Sequence, residues 1–72
     1  MSTDESWEEF VTDSEHLLAT LDDLPERASD FADSVRERLE SMIAWARERE
    51  HATPRMWTAL RNMQDGVARW SR

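Results

Sequence analysis

Side chains able to ligate a metal or move a proton are few in this chain: two histidines, 16 carboxylates and no cysteine. Glu48-Arg49-Glu50-His51 contains the spacing Glu-x-x-His, which di-iron bundles use to aim two ligands at one metal from a single helix face. Such a centre also needs a carboxylate pointing inward from a facing helix. The apolar stripe of the first segment offers only Ser14 there, with Glu8, Glu9 and Glu15 beside or behind it. Phased on Ala28, Val35 and Met42, both Glu48 and His51 fall off the inward seam. A metal-binding, ferritin-like half-bundle is therefore a distant alternative to a solvated helix end, where a histidine suits the negative end of the dipole. His16, next to Glu15, reads as a surface residue. No Gly-x-Ser-x-Gly elbow is present, and neither histidine has a fixed partner in view. The expectation is a chain that is not an enzyme, with no catalytic residue, no cofactor and no metal.

Charge gives a more specific pattern. Glu26, Asp30, Asp33, Glu37 and Glu40 recur at steps of four and three, which aligns five carboxylates along one helix edge opposite its apolar stripe. Two readings compete: a solvated face, or a docking surface for a basic protein partner or a mimic of DNA phosphates. All nine basic residues are arginine. Residues 1–50 hold 15 acids and five arginines, a net −10, whereas residues 51–72 hold four arginines and Asp65, a net +3. The sum of −7 argues against direct nucleic-acid binding, because phosphates would be repelled. A lysine-poor or high-salt host would produce the same bias without any partner.

These groups must be positioned by helices. Ser6 and Glu9 have the spacing of a capping box, and Trp7, Phe10, Val11, Leu17, Leu18 and Leu21 follow on one helical face, interrupted by Ser14. The first helix is expected over 7–21, with residues 1–5 disordered. Asp22-Asp23-Leu24-Pro25-Glu26 breaks the chain and restarts it, with Asp23 and Glu26 as a second capping box. Ala28, Phe31, Ala32, Val35, Leu39, Met42, Ile43 and Ala46 then form a stripe with Trp45 at its flank, predicting a helix over 24–50. Thr53 as N-cap and Pro54 at the first helical position open a third helix over 54–70. Its face of Met56, Leu60, Met63, Val67 and Trp70 has the heptad spacing of a coiled coil, widened by Trp57. Gly66 is expected inside that helix, since Val67 and Trp70 keep the phase.

The implied fold is all-α: a helical hairpin plus a C-terminal helix in one domain, residues 6–72. Of 28 apolar residues, eight are alanine and one is Met1, leaving 19 sizeable side chains for a core. One core of this size supplies only about 3–5 kcal/mol. The missing stability is therefore expected from self-association that completes a bundle. Trp7, Phe10, Leu17, Phe31, Leu39, Trp45, Trp57, Leu60 and Trp70 are the candidate assembly residues. The third helix has a competing use: its Trp and Met face, with Arg55, Arg61, Arg69 and Arg72 opposite, suits a membrane surface or a partner groove. The longest apolar run is five residues, Met42-Ile43-Ala44-Trp45-Ala46, so neither a transmembrane span nor a secretory signal is expected, and the reading is cytoplasmic.

Asp13-Ser14-Glu15-His16-Leu17-Leu18-Ala19-Thr20 and Val35-Arg36-Glu37-Arg38-Leu39-Glu40-Ser41-Met42, with Phe10-Val11 before and the acidic break between, resemble the soluble helical part of the ElaB/YqjD family over residues 8–50. The resemblance implies a small stationary-phase protein that associates with ribosomes at the inner membrane. The family's glycine-rich apolar anchor has no counterpart in these 72 residues, where Gly66 is the single glycine. Taken together, the sequence points to a non-catalytic helical interaction module of adaptor or regulator type, a homo-oligomer presenting an acidic face to a protein partner. The alternative is a peripheral membrane or ribosome-associated stress protein.

Overall fold

A computed structural model describes residues 4–70, and their side chains from Trp7 onward. Three helices follow one another: α1 (Asp4–Leu21), α2 (Ser29–Arg49) and α3 (Pro54–Trp70), with a 3₁₀ turn over Glu26–Ala28 leading into α2. The chain is all-α, as its periodicity requires. Residues near the end of α1 meet those early in α2, and residues before them meet those later, through Arg36–Asp22 and Arg47–Glu15. Phe31 meets Trp70, so α3 in turn runs back along α2. The result is an up-down-up bundle.

The helix starts differ from expectation in two places. Helix α1 begins at Asp4, so Asp4 and Glu5 are helical and Ser6 lies inside the helix rather than capping it; residues 1–3 are outside the described residues. Helix α2 begins at Ser29, not at residue 24. Proline is the cause: its ring biases the preceding residue toward extended backbone, and Pro25 itself is extended at φ −65°, ψ 156°. Three turn bonds, Asp22 to Ala19, Asp23 to Thr20 and Leu24 to Leu21, close the end of α1 first. No side chain caps the 3₁₀ turn, so the box expected between Asp23 and Glu26 does not form.

The α2–α3 junction follows its sequence signals more closely. Glu50 adopts the left-handed conformation (φ 51°, ψ 48°) and the His51 N–H donates to the Ala46 carbonyl at 3.2 Å. That is a Schellman-type terminus with glutamate where glycine is usual. Thr53 then caps α3, its Oγ1 accepting from the Met56 N–H at 3.1 Å, while the Thr53 N–H donates to the Met56 sulfur at 3.5 Å. Helix α3 continues through Gly66 to Trp70.

All three helices feed one core. Phe10, Val11, Leu17 and Leu21 from α1 pack with Ala32, Val35, Leu39, Ile43 and Ala46 from α2 and with Leu60, Met63 and Val67 from α3. The third wall of the core thus comes from within, because α3 closes the hairpin in one chain; a sister copy would add to the bundle rather than complete it. Ala28, Ala32 and Ala46 are all buried, which lets neighbouring backbones approach. Gly66 serves the same end, because a Cβ there would lie 2.9 Å from the Phe31 ring. Ser14 is the exception, fully buried with a hydroxyl that has no hydrogen-bond partner.

Candidate functional site

The Glu-x-x-His segment is taken apart by the end of α2. Glu48 sits exposed on its last turn, Glu50 is left-handed, and His51 lies beyond the helix with its ring centroid 6.2 Å from that of Trp45. The helical spacing that would align Glu48 with His51 therefore does not exist. Among the described residues no group of three His, Asp or Glu side chains converges on a point that could hold a metal ion. His16 is exposed on α1, and its backbone carbonyl accepts from the Thr20 hydroxyl at 3.0 Å.

The acidic edge is brought together as its spacing implies. Asp30, Asp33, Glu37 and Glu40 are exposed along α2, and Glu26 is exposed on the preceding 3₁₀ turn. None of the five forms an ion pair among the described residues. The two ion pairs there instead join α1 and the turn after it to α2, Arg47 to Glu15 at 2.7 Å and Arg36 to Asp22 at 2.9 Å. Both are largely exposed, so each contributes well under ~1 kcal/mol.

The nine candidate assembly residues do not form one surface. Phe10, Leu17, Leu39 and Leu60 are buried in the chain's own core, out of reach of another copy. Trp7, Phe31, Trp45, Trp57 and Trp70 are half-buried. Trp57 stands edge-on to Phe10 with ring centroids 5.3 Å apart, wedged between α1 and α3. Trp70 lies against Phe31 at 6.3 Å, under the Arg27 guanidinium at 5.6 Å. Trp45 is covered on one side by Arg49 at 5.0 Å.

What remains open is a groove between α2 and α3. Its larger hollow, about 600 Å³, is lined by Ser34, Glu37, Arg38, Ser41 and Met42 on one wall and by Arg55, Met56 and Ala59 on the other. A second hollow of about 410 Å³ shares Ser41, Met42, Arg55 and Met56 and extends to Trp45 and Thr53. Small side chains at Ser34, Ser41 and Ala59 leave this space unfilled, whereas Phe31 against Gly66 closes the seam nearer the end of α3. The floor is half-buried and apolar: Met42, Met56, Ala59 and Trp45. Methionine suits an adaptable contact surface, being unbranched and polarisable. Around that floor stand the polar side chains of Ser34, Ser41, Glu37, Arg38 and Arg55.

Of the groove residues, the sequence picked out Glu37 as part of the acidic edge, and Met42, Met56 and Trp45 as stripe members, but did not place them together. The available signal was the position of Met42 and Met56, each next to the buried stripe on either side of the Pro54 break. No helix among the described residues is long and apolar enough to cross a membrane. Neither a protein-family model, nor a curated protein, nor a solved structure matches this chain.

Proposed function

We propose that this chain is a non-catalytic helical protein-interaction module, of adaptor or regulator type, that self-associates and turns an acidic face toward a basic protein partner in the cytoplasm. The observation that carries the reading is the α2–α3 groove, where half-buried Met42, Met56 and Trp45 lie together at the surface. A small domain gains stability when such apolar surface is removed from water, at roughly 25 cal/mol per Å². The acidic edge of α2 supports the second half of the reading, since its five carboxylates are exposed and not engaged within the described chain.

A membrane-surface role of ElaB/YqjD type draws less support. Leu60, Met63 and Val67, the centre of the apolar face of α3, are turned into the core, and α3 would have to leave the bundle to present them to lipid. Sedimentation equilibrium over a wide loading range tests self-association: a mass that rises with concentration is expected, and a constant monomer mass refutes it. For the acidic face, the immobilised chain and its Asp33→Arg/Glu40→Arg variant are compared in native lysate. Bound protein common to both refutes that half of the reading.

A further inference from the structure

We propose that Met42 and Met56 form a paired oxidation site of the folded chain: peroxide entering the α2–α3 groove converts both to sulfoxides, Met63 is spared, and α3 keeps its N-terminal cap. Both side chains are half-buried and line both hollows, so a water-sized oxidant meets them without any unfolding. Met63 is 7% exposed and packed in the core, so its sulfur meets solvent only when the bundle opens. Met1 lies outside the described residues. In the reaction a sulfur lone pair attacks one peroxide oxygen. The S–O bond forms as the O–O bond breaks, and the departing hydroxide takes up the proton of the transferred oxygen and leaves as water. Sulfur gives up two electrons, peroxide accepts them, and a reductase can return the sulfoxide to the thioether.

The start of α3 decides what this does to the fold. The Thr53 N–H donates to the Met56 sulfur at 3.5 Å, while Thr53 Oγ1 accepts from the Met56 N–H at 3.1 Å. This is a capping box with a thioether in place of the usual glutamate or glutamine. A thioether is a weak acceptor. A sulfoxide oxygen carries more negative charge and stands on the same sulfur, so it takes over the Thr53 N–H by rotation about the last side-chain bonds. The groove fares differently. Met42, Met56, Ala59 and Trp45 make its floor, and two added oxygens turn that apolar surface into one that holds water. Oxidation thus removes an apolar contact and leaves the bundle standing, a reversible off-state for self-association. The off-state, unlike the oxidation site, rests on the self-association reading.

Dilute hydrogen peroxide on the folded chain, with peptide mapping of each methionine by mass spectrometry, tests the site. Met42 and Met56 should react about tenfold or more faster than Met63, and the difference should vanish in urea. Equal rates in the folded chain, or a bias that survives unfolding, overturn the site. Amide exchange at Thr53 should be no faster after oxidation, with helical circular dichroism retained; faster exchange there overturns the retained cap. Sedimentation equilibrium before and after treatment should show association weakened about tenfold or more. The Met42→Leu/Met56→Leu variant, which keeps the floor apolar, should associate like the parent and ignore peroxide. Association of the parent that survives oxidation overturns the off-state alone. A parent chain that stays monomeric at every loading overturns the self-association reading and the off-state with it, while the methionine rates still decide the site.

Discussion

Replacing Ser14 with alanine should make the protein more stable. Ser14 has no solvent exposure, and its hydroxyl has no partner. An unpaired buried hydroxyl costs about 1–3 kcal/mol relative to its hydrated state in the unfolded chain. Alanine keeps the Cβ, removes only the oxygen and leaves a void smaller than a methyl group. It is also the better helix former, by a few tenths of a kcal/mol or so. Set against the van der Waals attraction that the oxygen itself supplies, the net gain is about 1–2 kcal/mol. At roughly 4–8 °C per kcal/mol for a domain of this size, the melting temperature should rise by about 4–16 °C. Thermal and urea unfolding followed by helical circular dichroism measure it, with an unchanged urea slope showing that the same surface is exposed. A melting temperature that stays level or falls refutes the reasoning. The hydroxyl would then have found an acceptor by rotating toward the carbonyl of Phe10, one turn earlier, as helical serines can.

The two ends of the α2–α3 connection give opposite expectations. Glu50→Gly should stabilise by up to about 1 kcal/mol, since glycine enters the left-handed region without the steric penalty of a Cβ; chemical denaturation would show a higher midpoint, and a lower one would mean that the glutamate side chain is needed. Thr53→Ala should cost about 1 kcal/mol by removing the acceptor of the Met56 N–H, whereas Thr53→Ser should keep most of the stability. Equal losses in both variants would show that the threonine methyl, not the cap, is responsible.

Much of the architecture could be read from residue spacing, and the reasons for the exceptions are local. Thr53-Pro54 fixed the start of α3 because a cap and a proline act on the backbone at one position, and Gly66 could be kept inside α3 because Val67 and Trp70 hold the phase beyond it. Pro25 was legible as a break, but its effect reached forward: the chain takes a 3₁₀ turn before Ser29, which no stripe of apolar residues reveals. Periodicity placed Leu39 and Leu60 on inward faces without saying what those faces meet. Whether a stripe is covered by the same chain or by another depends on how three helices lie together, and here α3 covers the hairpin itself. The groove was hidden for the same reason. Met42 and Met56 become neighbours only when α3 folds back along α2, and the hollow between them comes from what is missing at Ser34, Ser41 and Ala59.

The two ion pairs of the described residues both fasten α1 and the turn after it to α2, whereas α3 is kept in place by apolar side chains and by the Arg27 guanidinium over Trp70. Salt can reach only these surface fastenings, each worth well under ~1 kcal/mol, and so scarcely loosens the molecule. Cooling acts on the apolar interior that all three helices share, so hairpin and third helix weaken together, as the staves of one barrel do when its hoop slackens.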